Sequence, residues 1–108
     1  MLKITKKFYP VILIPDGDSV LIKIPDMQIE TRSKDMDSAI AAASDAIGFE
    51  GVDLEHFGEK IPEPSDKSSI TVAPGGILDE AGVDFEYYRR YRDMERAKEM
   101  FEAFKKTK

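Results

Sequence analysis

The sequence predicts an α+β fold: an antiparallel meander of three to four strands packed on one helix, in the order β-β-β-α-β, followed by a long C-terminal amphipathic helix. Three observations carry this reading. Short apolar runs punctuated by Pro, Gly and Asp fill positions 8–32. After Asp35 the apolar spacing lengthens from two residues to three and four. From Val83 to Lys108 there is neither Gly nor Pro.

The first run, Phe8-Tyr9-Pro10-Val11-Ile12-Leu13-Ile14, is β-branched and aromatic and stops at Pro15, as a strand should. Pro10 has no N–H to give to a ladder, which places this strand at a sheet edge or starts it near Pro10. Pro15-Asp16-Gly17-Asp18-Ser19 is turn chemistry. Val20 to Ile24 forms a second strand that ends at Pro25-Asp26. Gln28 to Arg32 alternates polar and apolar residues, the pattern of a half-solvated third strand.

Asp35 is suited to cap a helix, with Asp37 and Ser38 favourable in its first turn. Met36, Ile40, Ala43 and Ile47 recur at steps of four, three and four, which is one helical face. Ala39, Ala41, Ala42 and Ala46 keep the helix slim, while Gly48 and Gly51 each cost about 1 kcal/mol relative to Ala. Leu54 and Phe57 extend the stripe to a stop at Gly58. The prolines of Ile61-Pro62-Glu63-Pro64-Ser65 require an extended linker. Ser69-Ile70-Thr71-Val72 reads as a fourth strand ended by Pro74-Gly75-Gly76. No Lys-Ser/Thr follows that Gly pair, so it is a turn rather than a phosphate cradle.

Asp84 caps the last helix, with Val83 and Tyr88 as a hydrophobic staple. Tyr87, Tyr91, Met94, Ala97, Phe101 and Phe104 fall at steps of four, three, three, four and three, a continuous stripe of about five turns, roughly 27 Å. Glu102 and Lys106 add a pair in the favourable order. The stripe is expected either to fold back over the sheet's other face or to meet another chain. Tyr87, Tyr91, Met94, Phe101 and Phe104 are the interface candidates. The organisation expected is a sheet-and-helix domain over residues 1–79 and a helical appendage for packing or oligomerisation over 80–108.

Composition narrows the chemistry. The 108 residues contain no Cys, no Trp and one His, with a formal net charge of −5. Disulfides, thiol nucleophiles and Cys-based zinc sites are excluded, and any Ser-His-Asp triad would have to use His56. No apolar run is long enough for a bilayer span and no signal peptide is present, which makes the cytoplasm the expected location. The charge is uneven. Residues 1–83 hold eight Lys/Arg and fifteen Asp/Glu, a net of −7, and residues 84–108 hold eight and six, a net of +2. The acidic part repels nucleic acid and attracts basic partners.

Read in order, Tyr9-Pro10, Gly17, Pro25-Asp26, Asp35 through Ala39 and Gly58 through Ser65 resemble the HicB family of antitoxins. The resemblance covers roughly residues 8–65, with weaker similarity at Val83-Asp84-Phe85-Glu86 and Tyr88-Arg89-Arg90. Where the family usually follows Pro-Asp with a hydrophobic residue, Pro and Gly, this chain has Met27-Gln28-Ile29 and is a residue shorter. The resemblance implies a partial ribonuclease-H-like domain without catalytic capacity. Such a domain binds and blocks a HicA-type toxin, a small basic ribonuclease that cleaves messenger RNA. Many family members also carry a C-terminal ribbon-helix-helix or helix-turn-helix module. Here 43 residues follow Ser65, room for one helix after the fourth strand, so direct DNA binding by this chain alone is not expected.

The remaining residues give no enzyme. His56 reads as an ordinary, partly exposed histidine beside Glu55. Asp16, Asp18 and Asp26 are clustered acids of the kind that bind Mg²⁺, but they sit in turns, whereas ribonuclease-H chemistry uses carboxylates inside strands. No metal and no cofactor are expected. Arg89, Arg92 and Arg96 form a ridge that reads as a solvated charged face. A non-enzymatic inhibitor of a basic ribonuclease needs negative charge facing the toxin, and Asp16, Asp18, Asp26 and Glu30 are the candidates. The sequence thus points to an antitoxin that occludes a HicA-type toxin. The competing reading is a stand-alone interaction domain that forms a homodimer or higher oligomer through its last helix, with no toxin.

Overall fold

The computed structural model describes residues 6–106. Strands β1 (Lys7–Asp16), β2 (Ser19–Ile24) and β3 (Ile29–Ser33) form the antiparallel meander, followed by helix α1 (Ala39–His56), strand β4 (Ile77–Val83) and helix α2 (Phe85–Lys106). The sheet order is β3-β2-β1-β4, with every pair antiparallel. The α+β class and the β-β-β-α-β order therefore hold.

β1 lies in the centre of the sheet, not at an edge, although it contains Pro10. Its ladder with β2 begins at Ile12↔Lys23, so Pro10 lies beyond the end of β2 and no β1–β2 bond is lost. The β1–β2 hairpin closes through Gly17-Asp18, with Gly17 at φ 61° in the position where type II′ turns place glycine. The shortened second turn is closed by a single 3₁₀ turn, Pro25–Met27. It leaves Gln28 left-handed at φ 55°, its N–H donating to the Pro25 carbonyl at 3.1 Å.

Alternation along the strands gives the sheet one face for α1. Tyr9, Val11 and Leu13 of β1, Ile22 and Ile24 of β2, and Ala81 and Val83 of β4 are all buried, against Ala39, Ala43 and Ile47 of the helix. The small residues at 39 and 43 let helix and sheet approach closely. Ala43 and Ile47 of the expected stripe are buried, while at its N-terminal end Ala39 takes the place expected of Met36 and Ile40. Met36 is exposed and Ile40 only half-buried. The Asp35 carboxylate accepts the Ser38 N–H at 2.8 Å, which closes a turn ahead of the helix, and α1 starts after it. At the other end α1 stops at His56 in a Schellman motif: Glu59 N–H donates to the Leu54 carbonyl at 2.9 Å and Gly58, at φ 82°, to Glu55 at 3.0 Å. Phe57 does not join the stripe; it is 79% exposed.

The fourth strand is Ile77–Val83, not Ser69–Val72. Ser69 ends a 3₁₀ turn capped by Asp66, and the chain from Ile70 to Gly76 runs as an irregular segment. At Gly76 the backbone comes so close to Val72 and Ile12 that an added Cβ would meet their methyl groups at 2.7 and 3.1 Å. Ile12 shares its sheet side with Leu78, so this segment covers the face opposite α1. The mistaken strand was the more apolar sequence. The real one carries Asp79, Glu80 and Gly82, yet pairs with β1 over seven positions from Lys7↔Val83 to Leu13↔Ile77. It runs across position 79, where the sheet-and-helix domain was expected to end, and stops at Val83, where the charge changes sign.

The linker between α1 and the 3₁₀ turn is a strap tied to the sheet. Tyr9 Oη donates to the Pro62 carbonyl at 2.6 Å, Lys7 Nζ to Glu63 at 2.7 Å, and Asp26 accepts both the Ser65 N–H at 2.8 Å and the Ser65 hydroxyl at 2.5 Å. Tyr9-Pro10, Pro25-Asp26 and Gly58 through Ser65, distant in sequence, meet here. Much of the family-like pattern is accounted for by this one construction.

Candidate protein-interaction surface

α2 leaves β4 after a single residue, and the Asp84 carboxylate accepts the Glu86 N–H at 3.1 Å. Its first turn is anchored on α1 by a fit that the glycines allow. A Cβ on Gly48 would lie 2.3 Å from the Tyr88 ring, and one on Gly51 would lie 2.4 Å from Phe85. Tyr88 reaches past Gly48 to donate its hydroxyl to Asp45 at 2.8 Å, and Phe49 packs edge-on against both Tyr88 and Tyr91. Burial and the Asp45 carboxylate push the Tyr88 phenol upward, so it stays a donor.

The next turns are held by two forks. Arg89 Nε and Nη2 meet the two oxygens of Glu55 at 2.8 and 3.0 Å, and Arg92 meets Asp53 with both contacts at 3.0 Å. Arg92 also lies 4.5 Å over the Phe49 ring and pairs with Glu95. Arg96 pairs with Asp93, and Arg90 with Glu86. Arg89 and Arg92 thus form a partly solvated seam between the helices, while Arg96 pairs within α2, and the charge of all three is already answered. The open cleft of about 240 Å³ at the end of α1, lined by His56, Glu55, Arg89, Arg92 and Arg96, shares the same pairing. Among the described residues no group of three or more His, Asp or Glu could hold a metal ion.

Arg89 holds the Glu55 carboxyl below its ordinary value. A depressed acid contributes stability that is present above its unfolded value near 4.5 and is lost as pH falls through the folded one. Both partners are more than a third exposed, so the effect is a surface-scale one. Arg89→Met is expected to lower the melting temperature by a few degrees at pH 7 and by progressively less as the pH falls below 4.5. A melting shift that stays constant from pH 7 down to acid would remove the ion pair from the account.

The four acids singled out in the sequence separate into two groups at opposite ends of β2, about 20 Å apart for a six-residue strand. Asp16 and Asp18 share the hairpin tip. Asp16 is paired with Arg32 at 2.9 Å, and Asp18 is exposed. Glu30 stands exposed on the edge strand β3, opposite Lys23. Asp26 is half-buried, with both oxygens engaged by Ser65, which gives it a structural task.

On α2, Phe85 and Tyr88 are the buried aromatics. Tyr87, Tyr91, Met94, Phe101 and Phe104 are all exposed, as is Met100. The helix does not fold back over the sheet. Past Arg96 it projects, and the molecule measures 58 × 36 × 28 Å.

What residues 6–106 present is therefore a small sheet braced on one side by a helix, with a second helix projecting from it and its most apolar stripe open. That architecture occurs in chains of solved toxin–antitoxin complexes. Against a toxin–antitoxin complex from Streptococcus pneumoniae the TM-score is 0.70 at 16% identity, covering 96% of this chain and 100% of the other. Against a HicA3–HicB3 toxin–antitoxin complex it is 0.62 at 20% identity, covering 71% and 98%. No protein-family model and no curated protein matches the sequence. Among the described residues no helix is long and apolar enough to cross a membrane.

Proposed function

We propose that this chain is an antitoxin that neutralises a small basic HicA-type ribonuclease by covering its catalytic and RNA-binding face. The observation that carries the reading is the fold shared with chains of two toxin–antitoxin complexes, in one case over 96% of this chain. The family-like residues support it, because they build the strap that holds the fold together. Occlusion needs no chemistry of the antitoxin. It needs a rigid surface of opposite charge, and a net of −7 over residues 1–83 supplies the sign.

Of the four acids, Asp18 and Glu30 are the contacts expected to matter. Asp16 acts through its pair with Arg32, and Asp26 acts only by holding the strap. DNA recognition by α2 is not part of the reading, since Arg89, Arg90, Arg92 and Arg96 all face carboxylates. The reading requires a small basic protein to be encoded beside this chain, and co-expression with that protein tests the function. Growth arrest by it should be relieved, and Asp18→Lys with Glu30→Gln should weaken the complex at least tenfold while the chain stays folded. Arrest that persists while the chain is soluble sinks the antitoxin reading.

A further inference from the structure

We propose that α2 is a dimerisation element: two copies of this chain pair through it in parallel and in register. The inference stands apart from the toxin reading and rests on the face of α2 turned away from α1. Phe85, Tyr88, Arg89 and Arg92 all point toward α1, which leaves the opposite side of the helix to Tyr87, Met94 and Phe101. These three are spaced by seven, and each is more than half exposed. Ala97 and Phe104 follow Met94 and Phe101 by three. That is the repeat of a two-helix seam, with Tyr87, Met94 and Phe101 at its first position and Arg90, Ala97 and Phe104 at its fourth.

The flanking charges select the second copy and its direction. In a parallel pair Asp93 of one chain, which is 75% exposed and meets Arg96 of its own helix at 3.3 Å, also faces Lys98 of the other, twice by symmetry, across the edges of the seam. An antiparallel pair centred on the seam sets Lys98 near its own counterpart, and like charges oppose it. Arg90 occupies one seam position as a polar residue held by Glu86 at 3.3 Å, which is the kind of interruption that fixes register. Ala97 keeps the middle narrow. Arg90, Lys98 and Lys105 along the stripe also disfavour a basic protein as the occupant.

Sedimentation equilibrium over a concentration series should approach twice the 12.2 kDa chain mass. Met94→Asp with Phe101→Asp should give a folded monomer whose melting temperature no longer depends on protein concentration, because both side chains are exposed in the single chain. Asp93→Lys should weaken the dimer several-fold, and adding Lys98→Asp should restore it. The sequence has no Cys, so orientation can be read by cross-linking. Tyr87→Cys and Ala97→Cys, ten residues apart, should each form a disulfide with its own counterpart, since only a parallel, in-register pair brings both within bonding distance. Glu99→Cys, on the α1 side, should not. A chain that stays monomeric at every concentration, or a dimer in which only one of the two cysteines cross-links, overturns the proposal. So does a chain that remains single in complex with a HicA-type toxin.

Discussion

Gly48→Ala is expected to destabilise the protein by about 2 kcal/mol, although the same change in an ordinary helix stabilises by about 1 kcal/mol. The added methyl would sit 2.3 Å from the Tyr88 ring, and the ring has nowhere to go. Its hydroxyl is held by Asp45 at 2.8 Å, and Phe49 and Tyr87 pack edge-on against it at 4.9 Å. The melting temperature should fall by on the order of 10 °C for a chain of this size. The decisive measurement is a double-mutant cycle. In a Tyr88→Ala background the alanine at 48 meets open space, so the sign should reverse and Gly48→Ala should stabilise by about 1 kcal/mol. A coupling below about 0.5 kcal/mol would mean the two positions do not touch, and the anchoring of α2 would need another explanation.

The second large effect is expected at Asp26. Asp26→Ala removes the acceptor for both the N–H and the hydroxyl of Ser65, and should cost about 2–3 kcal/mol, the range for hydrogen bonds to a charged group with a donor left unsatisfied. Asn keeps one acceptor oxygen, so Asp26→Asn should cost clearly less. Urea unfolding at constant slope gives the stabilities, and amide exchange at Ser65 reports the strap directly. Wild-type stability in Asp26→Ala, or an unprotected Ser65 amide in the unmodified protein, would refute the structural role. The strap also has an alkaline limit. Burial, then Glu63 and Asp26, push the Tyr9 phenol up to about 12. A raised phenol contributes stability that is complete below 10 and is lost as pH climbs toward 12.

The meander, α1 and α2 were legible because each has one dominant period and firm punctuation. Pro15 to Ser19 and Pro25-Asp26 separate the strands, and the Gly- and Pro-free run after Val83 can only be helix. β4 was misplaced because local apolarity favoured Ser69–Val72, whereas pairing with β1 over seven positions decided the outcome, and no local window contains that term. The stripe of α2 was legible as a stripe, but the aromatics that anchor the helix, Phe85 and Tyr88, lie outside it. Their contact depends on recesses at Gly48 and Gly51, which look like weak points of α1 until Phe85 and Tyr88 are laid across them. The matching intervals, 48 and 51 against 85 and 88, were the available signal. Of the four acids, sequence alone gave exposure and sign, but the Ser65 partner that turns Asp26 inward lies 39 residues away.

The strap also shapes how the sheet closes. β4 must pair with a strand roughly 70 residues earlier, a long loop to bring together. Once Pro62, Glu63 and Ser65 are fastened to Tyr9, Lys7 and Asp26, only the short stretch from Ser65 to Ile77 remains to be closed. Shortening a loop about fivefold lowers its closure cost by about 1.4 kcal/mol, roughly tenfold in rate. The three contacts that resemble mere stitching of a linker thus act as a relay, converting one distant encounter into two nearer ones.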